Sequence, residues 1–160
     1  MSTFRAFAAI KFLLVIFLIP LFGSNSSAME HLQKSLGQTV YAPVYSHIYV
    51  GAQGQEFQLA ATLCVRNTSI DNPIKLESVG YYDSTGQLLR NLIKKPIKVG
   101  PLASSQYFIG ESDTSGGFGA FFLVKWTSEN KVTEPVVEVV TVGTRSGQGI
   151  SFVSTGKVIE

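Results

Sequence analysis

The chain has 160 residues, of which 45% are hydrophobic, with 13 Lys and Arg against 11 Asp and Glu and a single cysteine. This length and apolar content suit one domain that buries its own core. The single cysteine excludes an intramolecular disulfide, so the fold must be stabilised by the burial of apolar side chains.

The first 28 residues predict a cleaved secretory signal peptide. Arg5 and Lys11 supply a positive start, residues 12–22 form an apolar stretch, and small residues end the segment at Ala28. An uncleaved transmembrane anchor is the alternative, but a membrane span needs about 20 apolar residues and this stretch is shorter. We therefore expect an exported protein without a membrane span after cleavage.

Removal of this segment changes the charge of the chain. Residues 1–28 contain two of the basic residues and no acidic residue, so the remainder carries 11 charges of each sign. A neutral domain is a poor candidate for nucleic-acid binding, because neutralisation of phosphates dominates that affinity. We expect residues 29–37 to be a flexible lead and residues 38–160 to form a single domain.

The stretch from residue 110 to residue 128 organises the predicted fold. Its first half is rich in glycine and small polar residues, which predicts a loop. Ala120–Trp126 is short, bulky and aromatic, and it predicts a buried strand in the middle of a sheet. The polar residues from Thr127 to Glu134 then predict a turn.

Alternating apolar residues predict further strands at intervals of about ten residues. Thr39–Val50 alternates, and its proline, Pro43, indicates an edge strand or a break. Phe57–Val65 alternates most regularly, and Thr144–Gly149 is a predicted loop. We predict an all-β fold, an antiparallel immunoglobulin-like sandwich of seven or eight strands, with a closed barrel as the alternative.

Three parts of the sequence are candidates for binding a ligand. The strand from Thr39 to Val50 places Tyr41, Tyr45, His47 and Tyr49 on one face. Tyrosines can stack on sugars and peptides, although strand propensity and packing at the rim of a sheet explain them as well. Arg145, in the second glycine-containing loop, could also face a ligand.

The polar loop containing Glu111, Asp113 and Thr114 offers oxygen atoms of the kind that calcium accepts. A calcium-stabilised domain is therefore an alternative, with Glu111 and Asp113 as weak candidate ligands. Two carboxylates seldom hold the ion and the spacing fits no calcium loop, so no metal site is predicted. The simpler interpretation is that Asp113 accepts hydrogen bonds from the backbone of its own loop.

The sequence contains no nucleophile elbow, no phosphate-binding glycine loop and no paired His and Cys zinc spacing. Cys64 and His47 could pair on neighbouring strands, but catalysis would require a lowered thiol pKa and an orienting third group. We therefore expect a protein that is not an enzyme and has no cofactor. A Cys–His enzyme is the less favoured alternative.

Three segments carry a family resemblance: residues 39–49 (TVYAPVYSHIY), 111–117 (ESDTSGG) and 143–152 (GTRSGQGISF). They resemble a bacterial family of small exported proteins known only as domain-of-unknown-function family 3124. The resemblance implies a periplasmic or extracellular location and no known activity. It suggests that these segments share one surface, which leads to the hypothesis of an envelope module that binds a protein or a glycan.

Overall fold

A computed structural model of the protein describes residues 34–145 and 147–160, and this part of the chain is all-β. The predicted signal peptide, residues 1–28, lies outside the described residues. The strands are β1 (Lys34–Pro43), β2 (His47–Val50), β3 (Gln55–Gln58), β4 (Ala60–Arg66), β5 (Ile74–Tyr82), β6 (Leu88–Asn91), β7 (Ile97–Val99), β8 (Ser104–Ile109), β9 (Phe121–Thr133), β10 (Val136–Arg145), β11 (Gln148–Thr155) and β12 (Lys157–Val158).

Two antiparallel sheets pack face to face as a sandwich. One sheet has the strand order β12-β1-β9-β5-β6, with β7 also paired to β5, and the other has the order β11-β10-β4-β8. Strands β2 and β3 form a separate hairpin. The predicted antiparallel sandwich is confirmed. The described residues form twelve strands rather than seven or eight, because two predicted strands are divided and several short strands line the edges.

The predicted central strand is confirmed, but it is longer than expected. Strand β9 lies between β1 and β5, and its Phe122, Val124 and Trp126 side chains are fully buried. The predicted turn at Thr127–Glu134 is wrong, since β9 continues to Thr133. Its polar residues are exposed or half-buried and therefore tolerate a strand whose end pairs with the start of β1.

The start of β1 lies within the segment that was expected to be a flexible lead. Lys34 and Ser35 pair with the end of β9, and an irregularity in register separates them from Gly37. Residues 34–37 are therefore ordered by the sheet, while residues 29–33 lie outside the described part. No helix in the described ranges has the length and apolar character required to cross a bilayer.

The predicted strand Phe57–Val65 has the expected inward face but two different partners. Phe57, Leu59 and Leu63 are all buried, in agreement with the alternation. The strand is divided at Leu59, because β3 pairs with β2 whereas β4 pairs with β8 and β10. The chain thus changes partners without changing the side that faces the core.

The predicted strand Thr39–Val50 is also divided, with β1 ending at Pro43. Proline cannot donate to the ladder of a sheet, which favours an end at this position. The alternation then loses its phase, since Val44, Ser46 and His47 are all buried. This irregular connection turns the chain from the sandwich into the β2–β3 hairpin.

The predicted loop Thr144–Gly149 is mostly strand. Strands β10 and β11 remain paired as far as Arg145 and Gln148, so only two residues separate the paired ends. Gly147 has a φ of 79°, a left-handed conformation that glycine adopts without strain. The pairing with Gln148 fixes the position of Arg145 at the end of the second sheet.

Candidate functional site

The β2–β3 hairpin provides the base of the candidate site. His47 lies opposite Gln58, and Tyr49 lies opposite Glu56. Residues directly opposite each other in an antiparallel pair point to the same face, so one face of the hairpin carries all four side chains. Aromatic and polar side chains therefore lie side by side on this face.

The opposite face of the hairpin packs against the second sheet. Phe57 is buried, and a Cβ atom added to Gly143 of β10 would lie 2.6 Å from both Phe57 Cε1 and Leu59 Cδ2. Only glycine leaves room for this approach. The Leu59 N–H donates to the Ser46 carbonyl at 3.0 Å, which ties the hairpin to the chain that enters it.

The loop between β8 and β9, residues 110–120, is held in place by the β5–β6 turn. The Ser84 hydroxyl donates to the Gly116 carbonyl and accepts from the Gly119 N–H, each at 3.0 Å. Gly116 itself packs so closely on Tyr81 that an added Cβ atom would lie 2.1 Å from the tyrosine hydroxyl oxygen. The loop therefore presents Phe118 from a fixed backbone.

Phe118 lies at the centre of an aromatic cluster that also contains Tyr45, His47 and Tyr49. Its ring centroid lies 5.2 Å from that of Tyr45, 6.2 Å from that of His47 and 5.9 Å from that of Tyr49. Tyr45 also contacts Phe152 of β11. The Tyr49 and Phe118 residues are 57% and 47% exposed, so the cluster presents aromatic surface to solvent.

Beside the aromatic cluster lies a polar cavity of about 410 Å³, lined by Glu56, Gln58, Glu111 and Arg145. The Arg145 Nη1 atom donates to the Glu56 carbonyl oxygen at 3.3 Å, which joins the end of β10 to the hairpin. The Glu56 carboxylate lies 3.8 Å from His47 Nε2. The aromatic cluster and the polar cavity thus share the hairpin face, and together they are called the hairpin surface here.

The buried imidazole of His47 is not satisfied by the protein. Its Nε2 atom is buried and has no hydrogen-bond partner within the described residues. The 3.8 Å separation from Glu56 is too long for a hydrogen bond. Buried polar atoms nearly always have a partner, so this nitrogen can still bind a water molecule or a polar group.

The hairpin surface contains five of the eight predicted site residues: Tyr45, His47, Tyr49, Glu111 and Arg145. Tyr41 lies elsewhere and stacks on Phe121 at 4.7 Å, which in turn stacks on Tyr82. Thr114 is exposed, and its carbonyl accepts the Gly117 N–H at 3.2 Å. These two residues have no observed contact with the hairpin surface.

Asp113 is engaged by the protein itself. Its carboxylate accepts hydrogen bonds from the Ser115 hydroxyl and from Arg90 Nη2, each at 2.5 Å. Partial burial raises the pKa of the Asp113 carboxyl, but the bonds from Ser115 and Arg90 outweigh it and hold this pKa below its ordinary value. The interpretation of Asp113 as an acceptor within its own loop agrees with the hydrogen bond from the Ser115 N–H.

The structure does not bring the other proposed chemistry together. Within residues 34–145 and 147–160, no group of three or more His, Cys, Asp or Glu residues is arranged to hold a metal ion. Glu111 lines the polar cavity, whereas Asp113 binds Arg90. Cys64 lies in β4 opposite Gln106 and Glu138, while the contacts of His47 are with Tyr49, Phe118 and Glu56.

Three residues of the hairpin surface were missed by sequence reasoning: Phe118, Glu56 and Gln58. Phe118 had a detectable signal, because a large aromatic residue between Gly117 and Gly119 has no core position to fill within a loop. Glu56 and Gln58 had none, since their placement depends on the register between β2 and β3. That register follows from the loop at residues 51–54, where Gly51 and Gly54 both have positive φ.

The fold and site together define a class: an antiparallel β-sandwich with an appended hairpin that carries a partly exposed aromatic and polar surface. The chain belongs to the DUF3124 family, described as proteins of unknown function, whose family model matches residues 37–159. The sequence resemblance to this family is thereby confirmed.

A solved structure described as the crystal structure of Thermotoga maritima 1070 is similar to this chain at 11% identity. The similarity covers 75% of this chain and 92% of that chain, with a TM-score of 0.44. This likeness is too distant to support any argument about function. No curated protein matches the sequence.

Proposed function

We propose that this protein is a non-enzymatic binding module and that the hairpin surface is its binding site. The observation that carries the proposal is the pair of exposed, stacked rings of Tyr49 and Phe118 beside the polar cavity. Exposed aromatic rings next to a few convergent polar groups are typical of binding sites. An envelope protein or a glycan is the kind of ligand proposed.

Rigidity of the surface supports a role in binding. Phe118 is held by the bonds of Ser84 to its loop, and the hairpin is held by Phe57 and the close approach of Gly143. Side chains on a fixed backbone lose little conformational entropy when a ligand binds, which favours affinity. Such preorganisation suits recognition.

We further propose that the protein acts outside the bacterial cytoplasm after removal of residues 1–28. The support for this is the order of positive, apolar and small residues in that segment. N-terminal sequencing of the protein isolated from the envelope fraction tests it, with Met29 as the expected first residue. Protein that retains residues 1–28 would contradict the proposal.

The binding role is tested by affinity capture from an envelope extract with three versions of the protein as bait. The expected result is a captured ligand that is lost when Tyr49→Ala and Phe118→Ala are combined. Phe108→Ala is the matched control, since Phe108 is also an exposed aromatic residue, at 68%, but lies in β8. Equal capture by all three baits would exclude the hairpin surface as the binding site.

A further inference from the structure

We infer that the polar cavity receives a cationic side chain, lysine or arginine, from an extended peptide of a partner protein. This inference rests on the proposed function, because it names the ligand class of the same site. It commits to a peptide, with a neutral glycan as a competing outcome of the test.

The charges that line the cavity favour a cation. Glu56 and Glu111 contribute two carboxylates, whereas Arg145 contributes one guanidinium. No ion pair joins Arg145 to either carboxylate among the described residues, since its observed bond goes to the backbone carbonyl of Glu56. A cavity with surplus negative charge attracts a positive group and has a lower affinity for an anion.

The aromatic cluster favours a cation on a long apolar stem. Tyr49 and Phe118 present exposed ring surface beside the cavity. Aromatic faces attract lysine and arginine head groups, and their apolar area packs well against methylene groups. A ligand that lies across the two rings and ends between Glu56 and Glu111 would use both halves of the hairpin surface.

Two polar groups favour a peptide over a free amine. The guanidinium of Arg145 has five N–H donors, and one of its nitrogen atoms, Nη1, binds the Glu56 carbonyl. The remaining donors belong to an exposed side chain, so they are accessible to a ligand. The backbone carbonyls of a peptide can accept from them, whereas an alkylamine has no carbonyl to offer. The unpaired Nε2 atom of His47 adds a further polar site beside the Glu56 carboxylate.

The test uses the purified protein and measures binding by NMR chemical-shift perturbation. The probes are the blocked peptide acetyl-Gly-Lys-Gly-amide, the same peptide with norleucine in place of lysine, pentylamine, and a panel of neutral oligosaccharides. We expect perturbation of Tyr49, Glu56 and Arg145 signals by the lysine peptide, weaker perturbation by pentylamine and none by the norleucine peptide.

The variant Glu56→Gln combined with Glu111→Gln keeps the size of both side chains and removes their charge. We expect the double variant to bind the lysine peptide with about tenfold lower affinity, as is typical when a charge-assisted contact is lost. Glu129→Gln is the matched control, because Glu129 is an exposed glutamate that lies outside the cavity. Equal binding by the double variant would overturn the inference.

The other outcomes separate this inference from the proposed function. Binding of norleucine and lysine peptides with equal affinity would overturn the role of the cation. Binding of neutral oligosaccharides with no effect of the lysine peptide would overturn the inference while leaving the hairpin surface as a binding site. If pentylamine binds as tightly as the lysine peptide, the claim that the ligand is a peptide would be overturned.

Discussion

A buried polar side chain lies near each end of β4, and the comparison separates structure from function. Asn67 directly follows β4, whereas His47 of β2 lies opposite Gln58, two residues before β4 begins. At one end, Asn67 is 2% exposed and its Nδ2 atom donates to the carbonyls of Asn72, Val99 and Gly100 at 2.8–3.3 Å. At the other end, His47 is 8% exposed and its Nε2 atom has no partner within the described residues. The Asn67 amide is fully hydrogen-bonded without a ligand, whereas the Nε2 atom of His47 can still form a hydrogen bond.

This difference is also visible in the surroundings of the two residues. Asn67 closes its own loop, since its Oδ1 atom accepts the Ser69 N–H at 3.0 Å. Both the nitrogen and the oxygen of the Asn67 side-chain amide are therefore hydrogen-bonded within the protein. His47 instead contacts the partly exposed rings of Tyr49 and Phe118 and lies 3.8 Å from the carboxylate of Glu56, which lines the cavity. Gln38, Trp126 and Thr141 also have a buried polar atom without a partner among the described residues. The exposed rings and the polar cavity near His47, rather than the unpaired atom alone, therefore distinguish it from Asn67.

The largest expected effect is a loss of stability on substitution of Asn67, the hydrogen-bonded residue at the end of β4. Asn67→Ala leaves three carbonyls without their donor and should reduce the free energy of unfolding by about 3 kcal/mol. Urea unfolding measures this loss, and Asn91→Ala, at an exposed asparagine of β6, is the control, with a change within about 0.5 kcal/mol. Equal effects of the two variants would show that the hydrogen bonds of Asn67 do not contribute to the free energy of unfolding.

The next effect breaks the attachment of the hairpin. Gly143→Ala would place a Cβ atom 2.6 Å from Phe57 Cε1, so it should destabilise the protein by about 2 kcal/mol and displace β2 and β3. Urea unfolding and ligand capture are the measurements. Gly149→Ala is the matched control, because an added Cβ atom there meets nothing within 4 Å. Retained capture by Gly143→Ala would argue against a role for the fixed hairpin.

Acid should loosen the loop that carries Phe118. The pKa of Asp113 is lowered in the folded protein, so its stabilising bonds are present above the ordinary pKa of 3.8 and are lost as the pH falls through the lowered value. Arg90→Gln removes the guanidinium that helps to lower the pKa of Asp113, so this pKa should rise toward its ordinary value. An NMR titration of the Asp113 carboxyl measures it, and an unchanged pKa would show that Arg90 has no influence.

A smaller effect on stability is expected on substitution of His47, whose Nε2 atom has no partner among the described residues. His47→Phe replaces a ring whose Nε2 atom lacks a partner with an apolar ring, so the free energy of unfolding should change by less than about 1 kcal/mol. Ligand capture by the same variant should weaken. A loss of stability comparable to that of Asn67→Ala would show that the two ends do not differ.

The smallest effect concerns calcium. Asp113 is already bound by Arg90 and Ser115, while Glu111 lines a separate cavity, so added calcium should leave the melting midpoint unchanged. Any ion that binds the folded state alone must raise this midpoint, which melting with calcium and with chelator measures. A clear rise would revive the calcium-stabilised alternative.

The sequence determined the sandwich through local patterns. Period-two burial in Phe57–Val65 and the short aromatic run that ends at Trp126 indicated which side chains face the core. These patterns depend on the alternation of a strand and need no knowledge of its partners. Turn chemistry was equally local: Asp83 accepts the Thr85 and Gln87 N–H groups, and Gly86 has a positive φ.

Only the tertiary structure decided which predicted residues share a surface. Tyr41 and Tyr49 lie in one alternating stretch, but the break after Pro43 sends Tyr41 to a stack with Phe121 and Tyr49 to Phe118. Likewise, Glu111 reaches the cavity while Asp113, two residues later, binds Arg90. Alternation fixes a face along one strand, whereas a shared site depends on pairing register and on contacts between residues far apart in the chain, which no local pattern encodes.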